Sequence, residues 1–154
     1  MLVLPLTARR VILWFLSVLG AIIGAWALFL PRSFYSTFPD GLADGGLAPW
    51  VATDGPFNEH LIRDVGALYL ALAAGGIVAA LSTSGTATRL VAVAWIVFSA
   101  PHLLYHSLHL GGLAPLDAIA QPIALALTLV LPIPLLFTGR DPHPVNTEQK
   151  EVNR

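Results

Sequence analysis

The sequence predicts an all-α integral membrane protein, a four-helix bundle with both termini cytoplasmic. Three observations predict it. Only 11% of the 154 residues are charged and 56% are hydrophobic, whereas a soluble domain carries roughly a quarter charged residues. Mean hydropathy is +0.74. Four apolar segments recur, each near the roughly 20 residues that a helix needs to cross a bilayer core. They fall at about 11–30, 59–81, 90–110 and 116–137, in one membrane domain over 1–138, with a polar cytoplasmic tail at 139–154.

Composition narrows the function. A formal net charge of −1 leaves no basic patch, so nucleic acid is not an expected partner. The absence of cysteine excludes disulfides, thiolate metal sites and covalent haem attachment. A metal here would use nitrogen and oxygen ligands. The richness in Ala, Gly, Leu and Pro suggests a GC-rich bacterial genome, and with it the bacterial inner membrane as the location.

The first span follows Arg9-Arg10 and runs without a charge from Val11 to Leu30. Ala25-Trp26-Ala27 resembles a signal-peptide cleavage site, but the apolar run is long for a signal. Gly20 and Gly24 form a GxxxG, a surface that permits close helix approach. Residues 31–57 form the longest connection. It holds Asp40, Asp44 and Asp54, with Pro39, Pro49 and Pro56. Its aromatics Phe34, Tyr35, Phe38, Trp50 and Phe57 are expected at the membrane interface or capping the bundle. Such a loop is either a functional lid or a plain interfacial connector.

Asn58 is the expected N-cap of the second span, with Asp54 as the alternative. The first turns carry Glu59, His60, Arg63 and Asp64. Ala67, Ala71, Gly75 and Ala79 then recur every four residues, which predicts a packing seam. Residues 82–88, STSGTAT, read as a polar turn before Arg89. The third span holds Pro101, which cannot donate to Val97, so a kink is expected before His102. Gly111-Gly112 ends it. The fourth span carries Asp117 and Gln121 near its start, and Pro132 and Pro134 near its end.

Arginine and lysine flank spans mainly on the cytoplasmic side. With four spans, Arg9, Arg10, Arg89, Arg140, Lys150 and Arg154 share one side, and Arg32 alone lies in a loop on the other. This arrangement puts residues 31–57 outside. It also brings Glu59, His60, Arg63 and Asp64, the PHLLYHSLHL stretch at 101–110, and Asp117 with Gln121 to one outer layer. The inner halves of the same helices are nearly free of polar groups. Ionisable groups inside apolar spans are costly and call for an explanation.

On a continuous helix, His102, His106 and His109 share one face. The lead expectation is a metal-binding or redox-associated site. His102, His106 and His109 would be its ligands, with Glu59, His60 and Asp64 from the neighbouring helix, for zinc, copper or iron. A metal-free pocket for a lipid, quinone or isoprenoid headgroup is the second reading. A structural hydrogen-bond network is the third. Arg63 balances charge with Glu59, Asp64 or Asp117, or holds an anionic headgroup. Tyr105, Asp117 and Gln121 are supporting groups, and Asp117 suits a helix N-terminus. Tyr69 reads as packing and His143 as a solvated tail residue. No catalytic residue is assigned.

The four short spans, the long first outer loop, and the segments NEHLIRDVGALYLAL and PHLLYHSLHL resemble small bacterial membrane proteins of the DoxX-like kind. The resemblance covers about residues 10–138. It implies a four-helix bundle and a group that includes redox- or quinone-associated membrane proteins. The remaining alternative is a non-catalytic accessory subunit, in a homo-oligomer or a larger membrane complex. Its Gly20/Gly24 and Ala67–Ala79 faces would then meet partners.

Overall fold

The computed structural model describes residues 4–41 and 46–139. Helix α1 spans Leu6–Phe29, α2 Pro31–Thr37, α3 Trp50–Thr53, α4 Glu59–Leu81, α5 Gly85–Leu108 and α6 Pro115–Val130, and a 3-10 turn follows at Ile133–Phe137. There is no strand among the described residues. Leu6–Phe29, Glu59–Leu81, Gly85–Leu108 and Pro115–Phe137 are long and apolar enough to cross a membrane. Large apolar side chains point outward along them, including Val11, Phe15, Val18, Val78, Val97, Leu104 and Ile123. Such a surface suits acyl chains rather than water. Asp44, Arg140, His143, Lys150 and Arg154 lie outside the described residues.

Helix α1 starts five residues before the expected Val11 because Arg9 needs no water. Arg9 is 4% exposed. Its guanidinium donates to the carbonyls of Ser82 at 2.6 Å and Thr83 at 3.2 Å. A cation that satisfies the carbonyls just past the end of α4 caps that helix and complements its dipole. The same end of the bundle is tied further. Leu4 N–H donates to Phe137 at 3.1 Å, and Arg89 donates to the Thr138 carbonyl at 3.2 Å. The main core lies in this half, built on Leu13, Leu16, Leu72, Ala92, Trp95 and Leu135.

Helix α4 is capped by Asn58, whose side chain accepts from Leu61 N–H at 3.2 Å. It packs along α1 at backbone distance. A Cβ added to Gly66 would lie 2.6 Å from Leu28 N and 2.9 Å from Gly24 O. The expected seam is therefore displaced. Gly66, Ala73, Gly76 and Ala80 are buried, while Ala67 and Ala71 are exposed. A strict four-residue repeat drifts around a helix of 3.6 residues per turn, so its members cannot all face one neighbour. Gly20 and Gly24 meet α4 and Trp95 within the chain, so that face is already occupied.

The polar turn predicted at 82–88 is shorter, and α5 takes in residues 85–88. Ser84 is the cap, accepting from Ala87 N–H at 3.2 Å. The helix then runs through Pro101 to Leu108. Pro132 and Pro134 convert the end of the last span from α-helix to the 3-10 turn. They remove backbone donors that an α-helix would need there.

The connection between α1 and α4 is a folded cap. Pro31 starts α2 at a helix-compatible first position. Phe34 and Phe38 lie tilted against each other at 4.7 Å, and Trp26 meets both edge-on at 5.7 and 5.9 Å. Phe38 meets Trp50 at 6.0 Å. Tyr35 packs on Phe57 at 5.4 Å and donates its hydroxyl to Gly55 O at 2.8 Å. A second core of Ala27, Phe34 and Ile62 sits beneath.

Candidate functional site

The bundle is closed at the Arg9 end and hollow under the cap. A cavity of about 1250 Å³ lies among the second half of α1, the first half of α4, the last turns of α5, α6 and the cap. Its aromatic wall includes Trp26, Phe34, Phe38, Trp50, Phe57 and Tyr69. Its ionisable side chains are Asp54, Glu59, His60, His102 and His106 beside the tyrosines, and Gln121 joins them from α6.

The predicted polar layer separates into three groups. The first is a column of rings on α5. His102 stacks on Phe98 at 5.2 Å, and His102 and His106 meet edge-on at 4.7 Å. Tyr69 extends the column from α4, 5.0 Å from Phe98. His106 Nδ1 lies 3.6 Å from Asp54 Oδ2. Both side chains are mostly buried, at 13% and 27% exposure. His106 Nδ1 has no hydrogen-bond partner, since that separation exceeds a normal hydrogen bond. Burial pushes the Asp54 carboxyl above its usual range, and His106 and His109 pull it part of the way back.

His109 departs from the expected common face. It is the C-cap of α5, with φ −121° and ψ 45°, so the helical spacing from His106 no longer applies. Its ring stacks on Tyr105 at 4.1 Å, and Nδ1 sits 2.7 Å from the Tyr105 carbonyl.

The second group is on α4. Arg63 pairs with Glu59 at 2.9 Å and also donates to the Leu28 carbonyl of α1. His60 lies 3.3 Å from Asp64, with both side chains well exposed. These are i, i+4 pairs along one helix.

The third group anchors the cap. Asp117, in the first turn of α6, is 2% exposed. One carboxylate oxygen accepts from Trp50 Nε1 at 2.8 Å and from Ala48 N–H at 3.1 Å. Gln121, one turn further, is 3% exposed, and its Oε1 has no hydrogen-bond partner.

His102, His106, His109, Glu59, His60 and Asp64 are thus engaged in different pairings. Among the described residues, no group of three or more His, Asp or Glu side chains is placed to hold one metal ion. Asp54 and Trp50 are the site residues that sequence reasoning missed. The sequence marks Asp54 only as a possible helix cap and Trp50 only as an interfacial aromatic. A buried histidine near a helix end needs a partner, and a loop aspartate four residues before Asn58 is the signal that could have supplied one.

No family model, curated protein or solved structure matches the chain.

Proposed function

We propose that this is a membrane protein that binds an amphipathic, bilayer-dissolved molecule of lipid, quinone or isoprenoid type in the cavity under the cap. The observation that carries the reading is the cavity itself. It is large for a small-molecule site, walled by aromatic and aliphatic side chains, and marked by polar groups that include His102, His106, Asp54 and Gln121. Ile22 and Leu61 belong both to its wall and to the exposed apolar surface of the bundle. They give a molecule dissolved in lipid a path inward. The His106–Asp54 pair gives the bound headgroup a place to exchange a proton.

The charge bias of the loops supports an N-in, C-in orientation, with the cap and cavity on the outer side of a bacterial inner membrane. The DoxX-like resemblance belongs to the same proposal and adds redox-associated chemistry to its scope. A zinc, copper or iron site would rest on His102 and His106, the two predicted ligands whose rings meet. The cavity carries more of the evidence than that pair does.

Tryptophan emission tests the reading. Trp26 and Trp50 line the cavity, and Trp14 and Trp95 do not. A brominated long-chain amphiphile should quench the first two saturably. Ala124→Trp, which fills the wall of the cavity, should abolish the saturable part. Quenching that rises without saturation and is equal in both proteins would refute cavity binding.

A further inference from the structure

We infer that the molecule held in this cavity has an uncharged hydroxyl or carbonyl head on a long apolar body, seated by Gln121 and the His102–His106 wall. The inference rests on the cavity-binding reading and deepens it to a chemical class. It follows from the charges that surround the space and from a polar group that has nothing to bind.

An anionic head finds no counter-ion. Among the described residues, no arginine or lysine lines the cavity, while Asp54 and Glu59 do. Arg63 is already held by Glu59 and the Leu28 carbonyl. Arg32 lies outside the lining, over the Phe57 ring at 4.7 Å. A phosphate or carboxylate entering here would lose its hydration with no free cation to pair with.

A cationic head fares no better. Glu59 is paired with Arg63. Asp54 faces His106 at 3.6 Å, so both carboxylates on the wall already have a partner from the protein.

An uncharged head fits what remains. Gln121 is almost fully enclosed, lines the cavity, and has a carboxamide oxygen without a partner. A buried polar group left unpaired costs about 1–3 kcal/mol. The carboxamide oxygen is enclosed in this structure, and a rotation of the carboxamide toward the cavity would let it accept from a hydroxyl or let its N–H donate to a hydroxyl or carbonyl. His102 and His106 offer a second polar contact from the facing helix, and the aromatic wall covers the body of the molecule.

Three brominated C18 chains that differ only at the head separate the possibilities: 9,10-dibromostearyl alcohol, the corresponding carboxylate and the corresponding amine. Each is titrated at neutral pH against the wild type, Gln121→Met and Trp26→Phe, the last defining the part of the signal that comes from the cavity. The alcohol should bind about tenfold tighter than either charged chain, a difference of about 1.4 kcal/mol. Gln121→Met, which keeps side-chain length and removes the amide, should weaken the alcohol about fivefold and leave the charged chains unchanged. Thermal unfolding of the variant confirms that its fold is intact. If Gln121→Met does not fold, the ranking of the three heads on the wild type decides alone. Equal cavity quenching by all three chains, or tighter binding of a charged one, would overturn the uncharged-head inference and leave the cavity reading standing. Absence of cavity quenching by any chain would overturn both.

Discussion

Trp50 of the cap and Asp117 of α6 are joined by a buried hydrogen bond of 2.8 Å from indole N–H to carboxylate. The same oxygen takes the Ala48 N–H. The roof of the cavity is thereby fixed to the fourth span rather than only to the helices that precede and follow it in sequence. Asp117→Ala should leave both donors unpaired and destabilise the protein by about 2–4 kcal/mol. Hydrogen exchange should show the loss concentrated in residues 46–57, with the Arg9 end unchanged.

The α1–α4 crossing depends on the absence of a side chain at Gly66. Gly66→Ala places a Cβ against the backbone of Leu28 and Gly24, where neither neighbour can give way. It should cost about 1–3 kcal/mol. Gly75 is the control. Its added Cβ would meet only Val91 Cγ2 at 3.6 Å, an ordinary contact, and alanine is the better helix former. Gly75→Ala should be neutral or slightly stabilising. Thermal unfolding of the two variants in one detergent checks the contrast.

Asp54 makes stability depend on pH in a direction that its burial dictates. The folded carboxyl holds its proton above the ordinary value of 3.8. Between that value and the raised one, the folded protein binds a proton that the unfolded chain has released. Stability contributed by this group is therefore present below 3.8 and falls as pH rises through the folded value. Asp54→Asn should remove that falling component and raise stability at neutral pH relative to the wild type. Unfolding midpoints of both proteins across the acid range supply the measurement.

The distribution of the histidines predicts the outcome of elemental analysis. Zinc, copper and iron are measured in purified protein beside a His102→Ala/His106→Ala variant. The variant should differ from the wild type in amphiphile binding rather than in metal content. Stoichiometric metal that disappears in the variant would establish the metal reading.

Much of the fold is legible in the sequence, because span length and apolarity are local properties. The four long apolar helices follow from them, and the Asn58 cap follows from its residue type just before the helix. The adjacency of His102 and His106 is equally local, being one helical turn. The failures are of another kind. The start of α1 depends on Arg9 finding carbonyls more than seventy residues away. The seam of α4 depends on helix rotation, which uniformly apolar spans do not encode through periodicity. His109 leaves the shared face because the helix stops one residue before it. Asp54 and Trp50 enter the site through contacts across the cap, and nothing local marks their partners.

Native mass spectrometry of the protein released from its own membrane tests the central claim most directly. The account predicts that part of the wild-type population carries one bound molecule of lipid-like mass. The Ala124→Trp protein, with the cavity wall filled, should be free of it at equal thermal stability. Identical spectra for the two proteins, either both without the molecule or both carrying it to the same extent, would contradict the account.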